Sequence, residues 1–339
     1  MPGIKMRSRL NDAFRLLRIL TPYRIFNLAG VYFGYVVSGI TKTVTLWGKP
    51  YSLSVEPTNY CNLKCPECPS GNNEMGRERG RMDMDLYKKI IDEAAAHLFW
   101  LMLYFQGEPF LHRQLPGMIR YAKTKNIYTC ISTNGHFLST RACKEIINAG
   151  TDRVIVSLDG ADQETYEQYR INGDLQKVKE GLERLAAEKR KQRADNPFIE
   201  VQCLVFKHNQ HQLKEIKRMA MNVGADRVRF KSAQIYNYNQ KSQLIPDKLK
   251  YSRYIRKSGN RLYLKNNPKN RCFRIWNSCV ITFDGRMVPC CFDKKGEFPI
   301  ADLSEVNFDV AWKSDTFQEF RKLILTGRKS VDICRNCTE

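Results

Sequence analysis

The chain has 339 residues, of which 42% are hydrophobic and 27% are charged, so it can bury a sizeable core and is not a disordered polypeptide. Its length predicts one large domain with a smaller unit, or two medium domains. The formal net charge is +21, and the sequence lacks the run of about 18 uncharged apolar residues that would predict a membrane-spanning helix.

The positive charge is concentrated in two segments of the chain. Residues 1–50 hold eight Lys and Arg and one Asp, and residues 229–271 hold twelve Lys and Arg and one Asp. Local basicity of this kind is typical of a contact surface for an anionic partner, the alternative being a solvated basic face. The first 24 residues carry six basic residues and lack a cleavable apolar core, so we expect a cytoplasmic protein without a secretory signal. Twelve Cys in such a protein predict metal ligands or free thiols rather than disulfides.

The first 50 residues are predicted to form a basic N-terminal extension. An uncharged run from Ile25 to Ile40 follows a helical period of apolar residues at Leu10, Phe14, Leu17 and Leu20. Because the uncharged run contains several aromatic residues and is flanked by basic ones, it suits an interfacial segment at the inner face of a membrane. The alternative is a segment packed against the outside or the bottom of the next domain.

Residues 51–233 alternate six strand patterns with five amphipathic helical patterns. The strands are predicted at 51–58, 99–105, 128–134, 153–159, 198–206 and 227–233. The helices are predicted at 83–97, 114–126, 139–149, 174–193 and 209–223. Near-continuous apolar strands are typical of parallel sheets that are covered on both faces. The predicted fold class is therefore α/β, with ligand sites at the carboxyl ends of the strands.

Two further segments complete the chain. Residues 234–271 are polar, basic and rich in Tyr and Asn, and we interpret them as a bridge. Tyr interleaved with basic residues suits contact with an anionic substrate, an anionic lipid or nucleic acid. Residues 272–339 are predicted to form a small α+β unit, with a hairpin that turns at Asp284-Gly285 and a helix at about 308–325.

Three cysteines directly follow the first predicted strand. Cys61, Cys65 and Cys68 have C-x3-C-x2-C spacing on one short loop. A four-iron cluster takes four thiolates, so three thiolates leave one iron open to bind a small molecule. Structural zinc sites are normally closed by four ligands, so three cysteines without a neighbouring His fit zinc poorly.

On this motif the sequence resembles the radical S-adenosylmethionine enzymes. The resemblance implies a partial (β/α)6 TIM-like barrel over residues 51–233, in which the three cysteines hold a [4Fe–4S] cluster. It also implies that S-adenosylmethionine binds the open iron and is cleaved to a 5′-deoxyadenosyl radical, which abstracts hydrogen from the substrate. Segments after the second, third and fourth strands are similar to the family's cofactor-binding segments, which assigns to S-adenosylmethionine the residues Gly107, Glu108, Pro109, Ser132, Asn134, Ser157, Asp159 and Arg170.

The resemblance also suggests individual roles and two departures. It implies that Glu108 meets the methionyl ammonium and that Arg170 meets the methionyl carboxylate. Gln106 replaces a Gly of the family pattern, which leaves the local backbone geometry open. Glu67 stands where many relatives carry an aromatic residue near adenine. Neither departure affects an expected cluster ligand.

A second set of cysteines lies in the C-terminal unit. Their spacing resembles the auxiliary-cluster modules of the same superfamily, which are called SPASM and, when shortened, twitch. The resemblance implies one auxiliary [4Fe–4S] cluster whose four ligand positions are filled by Cys272, Cys290, Cys334 and Cys337. A zinc ribbon is the alternative, which the wide gap within the first pair disfavours. Cys279 could replace Cys272, and Cys291 could replace Cys290, if the loop folds differently.

The sequence therefore predicts a radical S-adenosylmethionine enzyme with one auxiliary cluster. Its basic segments predict an anionic substrate, an acidic electron donor such as a flavodoxin or ferredoxin, and peripheral contact with a membrane. The substrate could be a small metabolite, a ribosomally made peptide, or a lipid or cell-envelope precursor. A non-catalytic iron–sulfur or zinc protein that binds nucleic acid is disfavoured, because the segments after the second and third strands would then lack a purpose. No catalytic base can be chosen among Lys207, Asn209, Lys231, Gln234 and Tyr236.

Overall fold

A computed structural model describes residues 2–236, 238–240, 242–257, 261–266 and 268–338. The helices are α1 (Pro2–Arg18), α2 (Pro22–Thr41), α3 (Pro69–Asn72), α4 (Met84–Ala94), α5 (Leu115–Thr124), α6 (Thr140–Asn148), α7 (Gln163–Glu167), α8 (Leu175–Lys191), α9 (Leu213–Asn222), α10 (Arg274–Asn277), α11 (Phe308–Lys313), α12 (Asp315–Gly327) and α13 (Asp332–Arg335). The strands are β1 (Ser52–Val55), β2 (Trp100–Leu103), β3 (Tyr128–Thr133), β4 (Arg153–Ser157), β5 (Phe198–Val205), β6 (Arg227–Ser232), β7 (Tyr254–Arg256), β8 (Leu262–Leu264), β9 (Ser278–Ile281), β10 (Arg286–Val288) and β11 (Ala301–Asp302).

One nine-stranded sheet organises the protein. Its strand order is β11-β10-β9-β1-β2-β3-β4-β5-β6, and strands β1 to β6 are parallel to one another. The six predicted strands and five predicted helices of the α/β unit are confirmed, each lying within its predicted range. Helices α4, α5, α6, α8 and α9 are the crossovers between successive strands, as parallel pairing requires.

The largest apolar core lies between one face of this sheet and the covering helices. Alternate strand residues such as Leu53, Leu101 and Val156 enter that core. Because side chains alternate along a strand, the intervening residues point to the opposite face. That second face is more polar towards the carboxyl ends, where Ser132 and Ser157 are only half-buried.

The C-terminal hairpin is confirmed, but it is not a separate sheet. Strands β9 and β10 are antiparallel, and β9 also pairs in parallel with β1. The hairpin thereby covers the edge of β1, which would otherwise expose unpaired backbone groups. The helix expected at 308–325 is two helices, because the side chain of Ser314 accepts the Phe317 N–H and starts α12 there.

Helices α1 and α2 pack at the amino-terminal end of the parallel strands. Ile19 shares a small buried cluster with Phe99 and Tyr128, and Asp12 is paired with Arg153 and accepts the Tyr128 hydroxyl. The extension therefore packs against the bottom of the α/β unit, as the alternative prediction proposed. Among the described residues, none of the helices has the length and apolarity needed to cross a bilayer.

Candidate functional site

The loop that carries the first three cysteines begins where β1 ends. Cys68 is the residue before α3, and its N–H donates to the Cys65 carbonyl at 3.1 Å, which closes a tight turn. Gly71 allows that turn to pack closely, since a Cβ at this position would lie 2.6 Å from the Cys65 nitrogen. The local sequence thus folds the three thiols onto one side of a compact loop.

Polar groups from three neighbouring loops surround the thiols. The Asn134 amide lies 3.9 Å from the Cys61 sulfur, and an Arg170 nitrogen lies 3.7 Å from the Cys65 sulfur. The Cys68 thiol donates to Gln106 Oε1 at 3.5 Å. These contacts bring together the residues that follow β1, β2, β3 and β4, as expected for the carboxyl end of a parallel sheet.

The chemistry of this thiol set fits an iron–sulfur cluster. Burial raises the pKa of Cys61 to about 12 and also raises the pKa of Cys65. Buried thiolates are stable only when a cation compensates their charge, and cluster iron supplies one. Among the described residues, no group of three or more His, Cys, Asp or Glu side chains has the spacing to hold a single metal ion.

Glu108 is the most tightly held carboxylate beside the cysteine loop. It is fully buried, and its two oxygens accept the Thr133 hydroxyl at 2.7 Å and the Asn134 N–H at 2.8 Å. Its own N–H donates to the Tyr60 carbonyl at 2.7 Å. Burial raises the pKa of Glu108 to about 7, and the hydrogen bonds only partly oppose that rise. A buried carboxylate with a raised pKa is suited to accept hydrogen bonds from an ammonium group.

The residue before Glu108 requires glycine. Gly107 has a φ of +75°, and a Cβ on it would lie 2.4 Å from the Thr58 carbonyl oxygen. Gln106 does not have a left-handed backbone, so its substitution for Gly leaves the backbone intact. The Gln106 side chain instead contacts the Cys68 thiol.

Asp159 and Arg170 form a buried ion pair beside Cys65. Arg170 Nε lies 2.6 Å from Asp159 Oδ2, while Asp159 Oδ1 accepts the Leu204 N–H at 2.7 Å. Asp159 is fully buried, and both of its carboxylate oxygens are occupied. Asp159 therefore orients Arg170, and the Arg170 guanidinium reaches the Cys65 sulfur on the thiol loop.

The remaining expected cofactor residues lie around the same edge. Ser132 and Ser157 lie on the sheet face that also carries Cys130 and Ile155, one layer nearer the carboxyl ends. Asn134 is buried, and its amide also donates to the Asn62 side chain at 2.7 Å. Pro109 is buried at the start of a 3-10 turn. Gly107, Glu108, Asn134 and Arg170 thus contact the cysteine loop or the residues beside it.

Glu67 connects this loop to the bridge, which sequence reasoning missed. The side chain is buried, and Oε2 accepts the Tyr236 N–H at 2.6 Å. Lys294 lies above the Tyr236 ring at 4.9 Å and 3.4 Å from the Glu67 carbonyl oxygen. Desolvation lowers the pKa of Lys294. Only the fold brings these residues together, because they are more than 50 positions apart along the chain.

The second cysteine set converges on a separate apolar cavity. One small cavity is lined by apolar side chains and by the four expected cysteines, Cys272, Cys290, Cys334 and Cys337. Burial raises the pKa of Cys334 to about 11 and raises the pKa of Cys272 and of Cys290. Four thiols around one cavity, which Arg274 and Arg328 also line, are a complete ligand set for a cluster.

The structure also shows where Cys279, Cys291 and Arg328 lie relative to this cavity. Cys279 pairs with Leu53 in the sheet, and neither Cys279 nor Cys291 lines the cavity. The buried Arg328 guanidinium donates to the Cys337 sulfur at 3.2 Å and to the Arg271 carbonyl at 2.8 Å. A guanidinium at this distance stabilises negative charge on the sulfur.

A larger cavity lies between the residues that flank the two cysteine sets, although no cysteine lines it. It has a volume of about 570 Å³ and is bounded by the first cysteine loop, by Gln234 and Tyr236, and by the segment after Cys290. Its wall includes five carboxyl side chains and two lysines, namely Glu67, Glu74, Asp293, Glu297, Asp332, Lys294 and Lys295. The predominance of carboxylates does not favour an anionic substrate. The bridge residues that were expected to meet such a substrate, including Lys250 and Arg256, do not line this cavity.

The other candidates for a catalytic base have different positions. Asn209 is buried and donates to the Asp159 and Leu204 carbonyls, so its role is structural. Lys207 is half-exposed and pairs with Asp247, and Lys231 is exposed. Gln234 and Tyr236 alone among the five line the cavity between the two sites.

Comparisons with known proteins agree with this geometry. A family model described as the radical SAM superfamily matches residues 55–220, and one described as an iron–sulfur cluster-binding domain, SPASM, matches residues 272–338. The tungsten-containing aldehyde ferredoxin oxidoreductase cofactor-modifying protein of Pyrococcus furiosus is 26% identical, over 84% of this chain and 86% of that protein. The PqqA peptide cyclase of Bradyrhizobium diazoefficiens is 24% identical, over 87% of this chain and 80% of that protein.

A solved structure shows the same fold. BtrN in complex with AdoMet and 2-DOIA superposes with a TM-score of 0.56 and 21% identity, over 86% of this chain and 94% of that chain. The likeness establishes a TIM-like partial barrel with an additional C-terminal module, which confirms the predicted fold class.

Proposed function

This chain belongs to the radical SAM superfamily and carries a SPASM domain, and from that premise we propose that it is a peptide-modifying enzyme. Its cofactors are iron–sulfur clusters and S-adenosylmethionine. We propose a division into an extension (1–50), a radical SAM core (51–233), a basic bridge (234–271) and an auxiliary-cluster domain (272–339). The observation that carries the proposal is the cavity of about 570 Å³, whose wall combines residues that flank both cysteine sets.

The residues of this chain have distinct roles in the proposal. Cys61, Cys65 and Cys68 hold the catalytic cluster, and the four cysteines around the C-terminal cavity hold one auxiliary cluster. When bound and reduced, the catalytic cluster and S-adenosylmethionine supply a 5′-deoxyadenosyl radical that removes hydrogen from the substrate. Because all four auxiliary positions are filled by protein, we assign that cluster to electron transfer rather than to substrate binding.

The chain binds and orients S-adenosylmethionine through the groups around the first loop. Glu108 accepts hydrogen bonds from the methionyl amino group. The Thr133 hydroxyl and the Asn134 backbone N–H hold the Glu108 carboxylate in position. Arg170 binds the methionyl carboxylate, and Asp159 positions Arg170 through their 2.6 Å contact. Ser132 and Ser157 offer hydroxyl groups to the nucleoside from the polar face of the sheet. Gly107 lets the backbone approach the loop closely.

A peptide substrate is supported by the relatives and by the cavity. PqqA peptide cyclases of two bacteria, Bradyrhizobium diazoefficiens and Gluconobacter oxydans, align with more than four-fifths of this chain. The cavity wall presents carboxylates, lysines, three amides and two aromatic rings, which suits a chain of mixed polarity better than a small anion. The sequence-based preference for an anionic substrate is therefore replaced by its peptide alternative.

We also propose that an acidic electron-transfer protein reduces the clusters. The bridge exposes the cations Lys248, Lys250, Arg256, Lys257, Arg261 and Lys265. None of these lines the cavity between the cysteine sites. A basic surface outside the substrate cavity is suited to attract a flavodoxin or a ferredoxin of opposite charge.

Iron counting and cofactor cleavage test the catalytic assignment. Anaerobically reconstituted protein should hold about eight irons, four in each site. Replacing Cys61, Cys65 and Cys68 together by Ala should leave about four irons and abolish the reductive cleavage of S-adenosylmethionine. Replacing Cys334 and Cys337 should spare that cleavage and remove substrate turnover. Cleavage that survives in the first variant would contradict the assignment.

The substrate class has its own test. Deuterium-labelled synthetic peptides are incubated with reduced enzyme, and transfer of deuterium into 5′-deoxyadenosine is measured by mass spectrometry. Transfer from a peptide supports the proposal. Transfer from a small metabolite, with none from any peptide, would replace it.

A further inference from the structure

The two N-terminal helices have reversed amphipathicity. The side of α2 that faces the protein carries Arg24, Asn27, Val31, Gly34 and Ser38, most of which are polar or small. The side that faces solvent carries large apolar residues at helical spacing, namely Ile25, Phe26, Tyr32, Phe33 and Ile40. Helix α1 repeats this arrangement, since Asp12 is buried while apolar side chains are exposed at Leu10, Phe14 and Leu17. A water-soluble surface helix normally has the opposite polarity.

Specific contacts hold the polar side inward. The Arg24 guanidinium is buried and donates to four backbone carbonyls, those of Ile19, Ala95, Lys125 and Asn126. The Asn27 side chain exchanges two hydrogen bonds of 2.8 Å with the backbone of Lys49. Rotation of α2 about its axis would leave the Arg24 and Asn27 side chains without their hydrogen-bond partners. The helix therefore keeps its polar side inward and its apolar side outward.

The exposed apolar surface is concentrated in this extension. Of the fifteen large hydrophobic residues that are exposed in the described part of the chain, ten lie between Leu10 and Trp47. The only acidic residue among the first 50 is Asp12, which is buried, whereas Arg9, Arg18 and Lys42 are exposed. The solvent-facing side of the extension therefore combines apolar, aromatic and cationic groups and has no exposed carboxylate among its described side chains.

A basic cleft adjoins α2 on one side. It has a volume of about 700 Å³, and Tyr35 of α2 forms part of its wall. Four basic residues line it and no acidic residue does. Lys269 and Arg271 are exposed, whereas Arg274 and Arg328 also line the cavity of the second cysteine set. Phe273 links the two surfaces, since its ring lies 5.0 Å from Tyr35 and 6.3 Å from Tyr32. The apolar side of the helix and the cationic cleft are thus continuous.

We infer that this surface binds an anionic phospholipid bilayer. The apolar side of α1 and α2 would enter the interfacial region, while the cleft and the flanking arginines and lysines meet lipid phosphates. Tyr23, Tyr32 and Trp47, which are exposed, have the amphipathic rings that favour the membrane interface. Helix α2 lies along the surface rather than through the bilayer, because its buried polar side is fastened to the α/β unit.

This inference does not depend on the proposed reaction. It locates the enzyme at a membrane surface, whatever peptide it modifies. A second copy of this chain would bring another cationic surface against this one, and the vesicle assay below distinguishes a bilayer from an acidic protein partner.

Vesicle binding by the full-length reconstituted protein tests the inference. Vesicles of phosphatidylcholine with about 30% phosphatidylglycerol are compared with pure phosphatidylcholine vesicles in anaerobic co-sedimentation. We expect binding to the anionic vesicles that weakens as salt rises. Because Trp100 lines the basic cleft, fluorescence is followed in a Trp100→Phe background. The emission of Trp47 should shift to shorter wavelength on binding, and Trp47→Phe in that background should remove the shift. Trp276 and Trp312 are buried and should report no change.

Matched variants separate a surface effect from a general one. Phe26 and Phe33 are 75% and 56% exposed, so replacing both by Glu should preserve the fold and weaken binding at least tenfold. The control places the same change at Leu249 and Val310, which are 58% and 59% exposed elsewhere, and it should leave binding unchanged. Replacing Lys269 and Arg271 by Gln should weaken binding to anionic vesicles by about fivefold for each charge. Cleavage of S-adenosylmethionine in the absence of substrate should persist in all these variants. Its persistence would show that the variants are folded.

Three outcomes would overturn the inference. The first is wild-type protein that does not bind anionic vesicles. The second is equal loss of binding in the Leu249 and Val310 control. The third is a dimer in light scattering that the Phe26 and Phe33 substitutions dissociate, with no vesicle binding, which would assign the surface to a second copy of the chain.

Discussion

Glu108 is expected to make the affinity for S-adenosylmethionine depend on pH. Burial raises the pKa of this carboxyl group to about 7 in the ligand-free protein. The proposed contact with the ligand's amino group requires the carboxylate, so protonated Glu108 competes with binding. The carboxylate fraction is about one-half at pH 7, about one-eleventh at pH 6 and about ten-elevenths at pH 8. Affinity should therefore fall about tenfold between pH 8 and pH 6, which corresponds to about 1.4 kcal/mol.

The same shift has the opposite effect on the ligand-free protein. A carboxyl group whose pKa is higher in the folded state contributes stability that is fully present below its unfolded pKa of 4.5 and is lost as the pH rises through about 7. Ligand binding should strengthen over the pH range in which this contribution to stability disappears.

Equilibrium dialysis of labelled S-adenosylmethionine from pH 6 to pH 8.5 measures the affinity. The α-amino group of the ligand also titrates, near pH 8, so variants must identify the group on the protein. Thr133→Val removes a hydroxyl that lies 2.7 Å from Glu108. Since a hydrogen bond to a charged group contributes about 1.5–3 kcal/mol, the midpoint should rise by about one pH unit or more.

Glu108→Gln supplies the control, because any pH dependence that remains belongs to the ligand. Identical midpoints in the wild type and Thr133→Val, or an unchanged profile in Glu108→Gln, would refute the assignment of the titration to Glu108.

Three further predictions concern the ion pairs, the auxiliary cluster and the reductant. Arg77 makes two hydrogen bonds of 2.6 Å to the fully buried Glu56, so Arg77→Met should cost about 3–5 kcal/mol in the free energy of unfolding. Lys88 pairs with Asp85 at the surface, so Lys88→Met should leave stability nearly unchanged in the same denaturant titration. Arg328→Gln removes the donor to Cys337 and should lower the auxiliary-cluster reduction potential by on the order of 50 mV. An EPR-monitored titration that finds this potential unchanged would exclude such tuning. Reduction by an acidic flavodoxin or ferredoxin should slow steeply as salt rises, because screening shortens the reach of surface charges to about 8 Å near physiological ionic strength. Stopped-flow rates that do not depend on salt would count against that docking surface.

Local patterns were sufficient to predict most of the core. The strand and helix ranges of the α/β unit depend on hydrophobic periods of two and 3.6 residues, which the sequence displays directly. The spacing of Cys61, Cys65 and Cys68, and the loops that follow the next three strands, indicated where the site would lie. Parallel strands end at a common edge, so these residues had to meet once the strand order was known.

The surroundings of the site depend on contacts between distant parts of the chain. Tyr236 meets Glu67, and Lys294 joins both, across separations that no local period records. The wall of the cavity between the two cysteine sets consequently carries more carboxylates than cations, although the nearby bridge is strongly basic in sequence. Net charge along a segment does not specify which side chains point into a cavity and which point to solvent.

The N-terminal extension shows most clearly the difference between what local sequence determines and what tertiary contacts decide. Its sequence displayed a helical period from Leu10 to Leu20, an uncharged run with aromatic residues from Ile25 to Ile40, and basic residues around both. Only the tertiary structure decided which side faces the protein, because Arg24 and Asn27 find their hydrogen-bond partners on other elements. Satisfying those buried polar groups directs the apolar side chains outward, and the membrane-binding inference rests on that orientation.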